Sequence, residues 1–369
     1  MIKFMLEDTR FYENTRFGFD AKRMVMWEGD WYVAHDSFKR SLETLVPDGL
    51  HVEQANLPIW RGDSGKNVDG EDLLVLCWGG LGDLVSMIPL FKYIRENYPF
   101  NKICLAVPFI STRWLQYIDH VIEYPAMLRR IEHFENLVMF DDIFEDTMKR
   151  ELVDVFADIM GLGAMTHEER APRLIPDPSV VDYMSRVLPP LKPGQKRIGI
   201  HIKGSVAERS IPVNKALAMA LELGVNRGHQ VLLLGHRNDF YAWVKDEEGR
   251  KVSQRNIIDN VYSMCGLVNG EEEITAMVSQ LDFFIGPDSG LLHIAGAQDI
   301  PGLGIFPTYS SSIRLGYYPS IEGVDVDQSL HAEERTTFFP DSVDDYNRAI
   351  EAIDFDEVVG RADAYLNDN

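Results

Sequence analysis

DFFIGPDSGLLHIAGAQDIPGLGIF, residues 282–306, decides the fold. An apolar run, DFFIG (282–286), ends at Pro287, Asp288, Ser289 and Gly290. An apolar helical pattern starts at 289, and a second apolar run, GLGIF (302–306), follows it. Asp and Ser are favoured helix caps. Continuous apolar strands linked by helices form parallel sheets covered on both faces, so the class is α/β.

The same rhythm extends upstream. RIGIHI (197–202), a helix near 213–226, QVLLLG (230–235), a helix near 238–248 and a helix at 271–280 complete one α/β half. Ahead of it, a stretch rich in proline (Pro172, Pro176, Pro178, Pro189, Pro190 and Pro193) has linker composition. A first α/β half precedes the linker. LLVLC (73–77), KICLAV (102–107), HVIEY (120–124) and NLVMF (136–140) read as strands, and FEDTMKRELVDVFADIMG (144–161) as a long helix. After LLVLC, residues 84–98 carry Leu84, Ile88, Phe91 and Ile94 on one helical face, with Pro89 forcing a kink or a missing hydrogen bond.

Four segments result: an extension at 1–70, a Rossmann-like half at 71–185, a second at 186–335 and an acidic helical tail at 336–369. In the extension, WYVAH (31–35) reads as a strand and DSFKRSLETL (36–45) as a short helix. Two such halves joined by a linker are expected to share a ligand in the cleft between them.

Composition narrows the partners. The 369 residues carry a net charge of −22, which repels nucleic acid and anionic membranes at long range. Acidic surface also serves solubility alone. No stretch approaches the roughly 18 apolar residues of a membrane span. The first residues lack the basic start and apolar run of a signal peptide, so integral membrane association is not expected and a cytoplasmic location is. Cys77, Cys104 and Cys265 form no CxxC pair, which fits a reducing compartment and no zinc site.

Three loops carry the candidate chemistry. In GPDSGLLHIAGA (286–297) the amides at the start of a helix, with its dipole, form a site for a diphosphate, and His293 sits one turn in. An ordinary capped helix is the plain alternative. In WGGLGDLVSMIPL (78–90), Gly79, Gly80 and Gly82 form a turn at the carboxyl end of a strand, where open α/β sheets place ligands. Asp83 follows, either as a helix cap or as a general base for a hydroxyl. In GIHIKGSVAERSIPVNKA (199–216), Lys203 and Arg209 are placed to neutralise a departing diphosphate, or belong to a polar surface loop. Asp325 and Asp327 form a DxD pattern with no further ligands nearby in sequence, so no metal site is expected. Asp141 and Asp142 read as a helix start.

GGLGDLVSMIPLFKYIRENYP, GIHIKGS…RSIP and ITAMVSQLDFFIGPDSGLLHIAGA resemble, in order and spacing, the heptosyltransferases of glycosyltransferase family nine. The resemblance spans about residues 71–310. It implies the GT-B fold, in which two Rossmann-like domains face each other across a cleft. It further implies transfer from a nucleotide diphosphate sugar such as ADP-heptose to a glycan hydroxyl, inversion, and neither metal nor cofactor. By that likeness Asp83 is the catalytic base. Asp288, Ser289, Gly290, Leu291 and His293 hold the diphosphate, as do Ser205 and Arg209. Arg209 stands where the family has Lys, and Ser210 and Ile211 follow where it has an aromatic. LLLGHRNDF (232–240) resembles the family's strand that precedes a ribose-binding acid, with the acid displaced and Asn238 and Asp239 as substitutes. The extension has no counterpart in the resemblance. Transfer to a modified base in DNA or to a protein, and a non-catalytic nucleotide-sugar binder or an epimerase, are the other functions this sequence accommodates.

Overall fold

The computed structural model describes residues 2–6, 10–13, 23–26, 29–34, 50–77, 79–107, 115–124, 126–140, 147, 149–204, 209–235, 243–245, 251–253, 256–268, 270–307, 309–326 and 350–368. The chain divides into two compact units: residues 1–146 with 152–170, and residues 147–151 with 171–369. The expected helix at 36–45, the helix start at Asp141 and Asp142, and Ser205, Asn238, Asp239 and Asp327 lie outside the described residues.

The first unit opens with strands β1 (Ile2–Leu6), β2 (Arg10–Glu13), β3 (Arg23–Met26), β4 (Trp31–Ala34) and β5 (Leu50–Gln54). Then come β6 (Asp72–Leu76), helix α1 (Leu81–Asn97), β7 (Lys102–Val107), β8 (His120–Glu123), β9 (Ala126–Met127), β10 (Asn136–Met139) and α2 (Leu152–Ile159). A parallel sheet runs in the order β10-β6-β7-β8, as the apolar runs predict. An antiparallel sheet, β5-β1-β4-β9, packs with it, and β2 pairs with β3. One core joins the two larger sheets: Phe4, Leu6, Tyr32 and Val33 are buried together with Leu74, Leu76, Ala106 and Leu137. Burying a Leu, Val or Phe side chain stabilises the fold by about 1.5–3 kcal/mol, so the amino-terminal strands complete this unit's core.

Helix α1 runs unbroken through Pro89, which leaves the Val85 carbonyl without its helical amide donor. The long helix expected over 144–161 is shorter. Residues 149–151 are not helical, and the Glu151 carboxylate accepts from the Gly316 amide at 2.5 Å.

The second unit contains α3 (Pro178–Val187), β11 (Arg197–His201), α4 (Val213–Leu221), β12 (Gln230–Leu234), β13 (Trp243–Lys245), β14 (Lys251–Ser253), β15 (Asn256–Ile258) and β16 (Val261–Ser263). It continues through α5 (Glu271–Val278), β17 (Phe283–Pro287), α6 (Gly290–Ala297), β18 (Gly302–Phe306), β19 (Ile321–Asp325) and α7 (Phe355–Asp368). Seven strands lie in the order β15-β16-β12-β11-β17-β18-β19. All neighbours are parallel except β15 and β16. Every residue of β11, β12, β17 and β18 is buried, the signature of central strands covered on both faces.

Three expectations are corrected here. The proline-rich linker contains α3, because Pro178 at the first helical position lacks only an amide that needs no partner, and Asp177 caps Ser179 N–H at 2.7 Å. Residues 243–245 are a strand paired with 251–253, where a helix was expected near 238–248. Val244 and Val252 face each other in that pairing, and β-branched residues favour strands. The DxD pattern lies beyond the last expected strand, yet Ile321–Asp325 forms the edge strand β19.

The strand order also locates the ligand positions. From β11 the chain moves outward to β12 and β16, then returns to the other side of β11 with β17 and β18. In the first unit it moves from β6 to β7 and β8, then returns beside β6 with β10. Open α/β sheets bind ligands at the carboxyl ends of strands where such a reversal occurs.

Candidate functional site

In the second unit the reversal lies between β11 and β17, and three loops meet at its carboxyl end. Ser289 is the extended N-cap of α6, but its hydroxyl does not cap the helix. It shares a hydrogen bond of 3.1 Å with His201 Nδ1 at the end of β11. The amides of Gly290, Leu291 and Leu292 therefore open the helix without a side-chain acceptor, and with the helix dipole they favour an anion.

Beside them lies a buried polar network. Arg209 Nη1 donates to Asp288 Oδ2 at 2.7 Å and to the Tyr309 hydroxyl oxygen at 3.0 Å. The Tyr309 hydroxyl in turn donates to Asp288 Oδ2. The Arg314 guanidinium lies 5.2 Å over the Tyr309 ring, with its Nε 3.9 Å from Asp288 Oδ2. His293 Nε2 lies 3.2 Å from Asp288 Oδ1, and His293 Nδ1 lies 3.0 Å from the Tyr318 hydroxyl. An ionised carboxylate only accepts, so in the neutral ring His293 carries its proton on Nε2 and accepts the Tyr318 hydroxyl hydrogen at Nδ1.

Burial by itself would raise the Asp288 pKa. The hydrogen bond from His293 and the charges of Arg209 and Arg314 outweigh it and hold the carboxyl well below the usual carboxylate range. Burial, reinforced by the Asp288 charge, pushes the Tyr309 phenol up to about 12. Tyr309 therefore stays protonated and keeps its bond to Asp288.

The loop that delivers Arg209 is pinned at both ends. Ile211 N–H donates to the Ile202 carbonyl at 2.8 Å, and Gly204 N–H to the Ser210 hydroxyl at 3.1 Å. A Cβ on Gly204 would stand 2.7 Å from Arg209 Cβ, so glycine lets the loop close on itself. Lys203, two residues beyond β11, is half-buried.

The first unit holds the other candidate. Gly80 N–H donates to Asp83 Oδ2 at 2.5 Å at the start of α1, just past the carboxyl end of β6. A Cβ on Gly79 would lie 2.6 Å from both Asp83 Cβ and Oδ2. Asp83 thus stands at the third position of the helix and accepts from the amide of the N-cap residue Gly80, which fixes its carboxylate at this unit's own reversal between β6 and β10.

Of the expected residues, Arg209, Asp288 and His293 join one network, while Ser289, Gly290 and Leu291 form the helix entrance beside it. Sequence reasoning missed His201, Tyr309, Arg314 and Tyr318. Position was the available signal: His201 ends β11, and FPTYSSSIRLGYYP (306–319) begins at the carboxyl end of β18. Asp325 accepts from the Ser311 amide at 2.6 Å and the Ser311 hydroxyl at 2.7 Å, a turn-holding role.

Residues 215–337 match the family described as Glycosyltransferase family 9 (heptosyltransferase). Over those residues, a third of its length, the chain is similar to the heptosyltransferases of that family. No curated protein matches it. The crystal structure of the glycosyl transferase family 9 from Veillonella parvula DSM 2008 is 14% identical, covering 82% of this chain and 99% of its own with a TM-score of 0.60. The iron-containing dodecameric glycosyltransferase TibC from enterotoxigenic E. coli H10407 is 13% identical, covering 97% of this chain and 88% of its own with a TM-score of 0.54. A structure of TibC, there called a heptosyltransferase, in complex with ADP-D-beta-D-heptose covers 99% of this chain and 94% of its own, at 12% identity and a TM-score of 0.54.

These likenesses show a shared fold of the GT-B class with Rossmann-like units. The likeness to TibC extends over 97% or more of this chain. Iron is a property of TibC. Among the described residues here, no group of three or more His, Cys, Asp or Glu is arranged to hold a metal ion. The cysteines lie apart, with Cys77 after β6, Cys104 on β7 and Cys265 after β16, all free. The described residues do not fit such a centre. No helix among them is long and apolar enough to cross a membrane.

Proposed function

We propose that this glycosyltransferase moves a sugar from a nucleotide diphosphate donor of the ADP-heptose kind to a hydroxyl of a glycan, with inversion and with neither metal nor cofactor. The observation that carries the donor half is the amino end of α6, which opens without a side-chain cap beside Arg209 and His201 at the sheet's reversal point. Those amides and the Arg209 guanidinium suit a diphosphate, whose charge grows as the sugar departs. Asp288 has its oxygens engaged by Arg209, Tyr309 and His293, so it holds these groups in place.

Asp83 is the proposed base. It takes the proton of the acceptor hydroxyl as that oxygen attacks the anomeric carbon, the C1–O bond to the diphosphate breaks, and the leaving group keeps the electron pair. Support comes from a carboxylate fixed at the carboxyl end of a parallel strand. Inversion and metal independence rest on the family resemblance. The net charge of −22 favours a glycan over DNA as acceptor.

Thermal shift with ADP, UDP, GDP and CMP tests the donor site. The expected result is stabilisation by ADP that disappears in Arg209→Ala, whereas equal shifts with and without Arg209 would refute the assignment. Released ADP that depends on an acceptor identifies transfer. An epimerase would alter the donor alone, and a pure binder would leave it unchanged.

A further inference from the structure

Arg314 is among the largest fully buried side chains of the protein, only 2% exposed, and no motif in the sequence marks it. Burying a guanidinium is costly, and an apolar residue of similar volume often packs as stably or better. Its charge therefore calls for a role. Arg314 Nη1 is tied to the Ile313 carbonyl at 2.7 Å, which directs the guanidinium inward over the Tyr309 ring. Its Nε stands 3.9 Å from Asp288 Oδ2, too far for a hydrogen bond and close enough for strong attraction where water is excluded. The same Oδ2 accepts from Arg209 and Tyr309.

Asp288 is thus one carboxylate shared between two guanidiniums of different exposure. Arg209, 13% exposed, belongs to the loop bordering the α6 amides, whereas Arg314 is enclosed. A carboxylate beside a diphosphate site repels the ligand unless its charge is matched. If Arg209 alone matched it, that pair would meet the incoming anion with no net charge.

We infer that Arg314 is a positioning residue that acts through Asp288. It supplies the counter-charge for the carboxylate, so that Arg209, held in place by Asp288 and Tyr309, offers its own charge to the donor's diphosphate. This inference rests on the donor-site reading above. Arg314 is enclosed, so its part is carried through Asp288. Tyr309 completes the device by linking Arg209 to Asp288 through its hydroxyl while its ring supports Arg314.

The test is a double-mutant cycle on the full chain, with ADP as probe and calorimetric Kd as readout. Circular dichroism and Tm confirm folding of each variant. Arg314→Met is expected to raise Kd about tenfold through the loss of one enclosed charge–charge attraction, and Arg314→Lys to restore most of the affinity. In the Asp288→Asn background, where no carboxylate remains to be matched, Arg314→Met should change Kd by less than about twofold. A packing role would not be relieved in that way. A tenfold loss that persists beside Asp288→Asn, or no loss in Arg314→Met, overturns the inference and leaves the donor site standing. Wild-type protein whose ADP binding is absent or indifferent to Arg209→Ala overturns the donor site and the inference with it. Should Arg314→Met fail to fold, Arg314→Gln carries the same cycle.

Discussion

Gly79→Ala isolates the placement of Asp83 from its chemistry. Glycine 79 has no positive φ, so alanine suits the backbone there and only the new methyl group matters. That methyl would stand 2.6 Å from Asp83 Cβ and Oδ2, and ordinary contact begins at 3.4 Å. The carboxylate must therefore retreat by 0.4 Å to reach the 3.0 Å limit of real contacts and by 0.8 Å to reach ordinary contact. Asp83 has little freedom to turn aside, because its Oδ2 is held by Gly80 N–H at 2.5 Å. Overpacking of this kind costs about 1–3 kcal/mol of stability. A displacement near 1 Å at a reacting group costs about a hundredfold in rate. The expected outcome is a variant that folds, binds ADP with wild-type Kd and releases ADP from ADP-heptose about a hundredfold more slowly in the presence of acceptor. Calorimetry and a coupled ADP-release assay read the two halves separately. Unchanged turnover in Gly79→Ala, with Asp83→Ala inactive, would refute the idea that Gly79 sets the position of the base.

Asp83→Ala itself should abolish transfer and leave the ADP Kd nearly intact, and a parallel loss of binding would count against a base role. Gly296→Ala should destabilise the second unit by about 1–3 kcal/mol, because the added methyl would lie 2.5 Å from Tyr318 Cδ1 under a buried ring that hydrogen-bonds His293; a denaturation midpoint equal to wild type would contradict this. Asp288 has a folded pKa depressed below its unfolded value of about 3.9, so its stabilising contribution is complete above that pH and is lost progressively as pH falls below it. Urea denaturation at pH 7 and pH 3 should show wild type losing more stability than Asp288→Asn over that interval, and equal losses would refute the assignment.

The sequence made the α/β class legible because buried parallel strands are apolar throughout and helix starts carry local caps. RIGIHI, QVLLLG, DFFIG and GLGIF all became central strands. The glycine and DSG loops were readable for the same local reason, since a cap and its helix lie within four residues. Shorter elements escaped. Strands β13 to β16 are three residues each, and β19 carries a single fully buried position, so none shows the continuous apolar run that marks a central strand.

By itself, then, the sequence determined which stretches are strands and helices in the two sheets' centres, and where loops rich in glycine, Asp and Ser interrupt them. These depend on contacts within a few residues. Only the tertiary structure decided that β11 and β17 are neighbours at a reversal of strand order. It alone placed Asp288 within reach of Arg209, 79 positions away, and set Tyr309 between Arg209 and Asp288. Partners so distant in the chain are chosen by strand order and crossover, which bring loops together at the carboxyl ends of the central strands. No local pattern encodes that choice, because each of these side chains could equally sit on a polar surface.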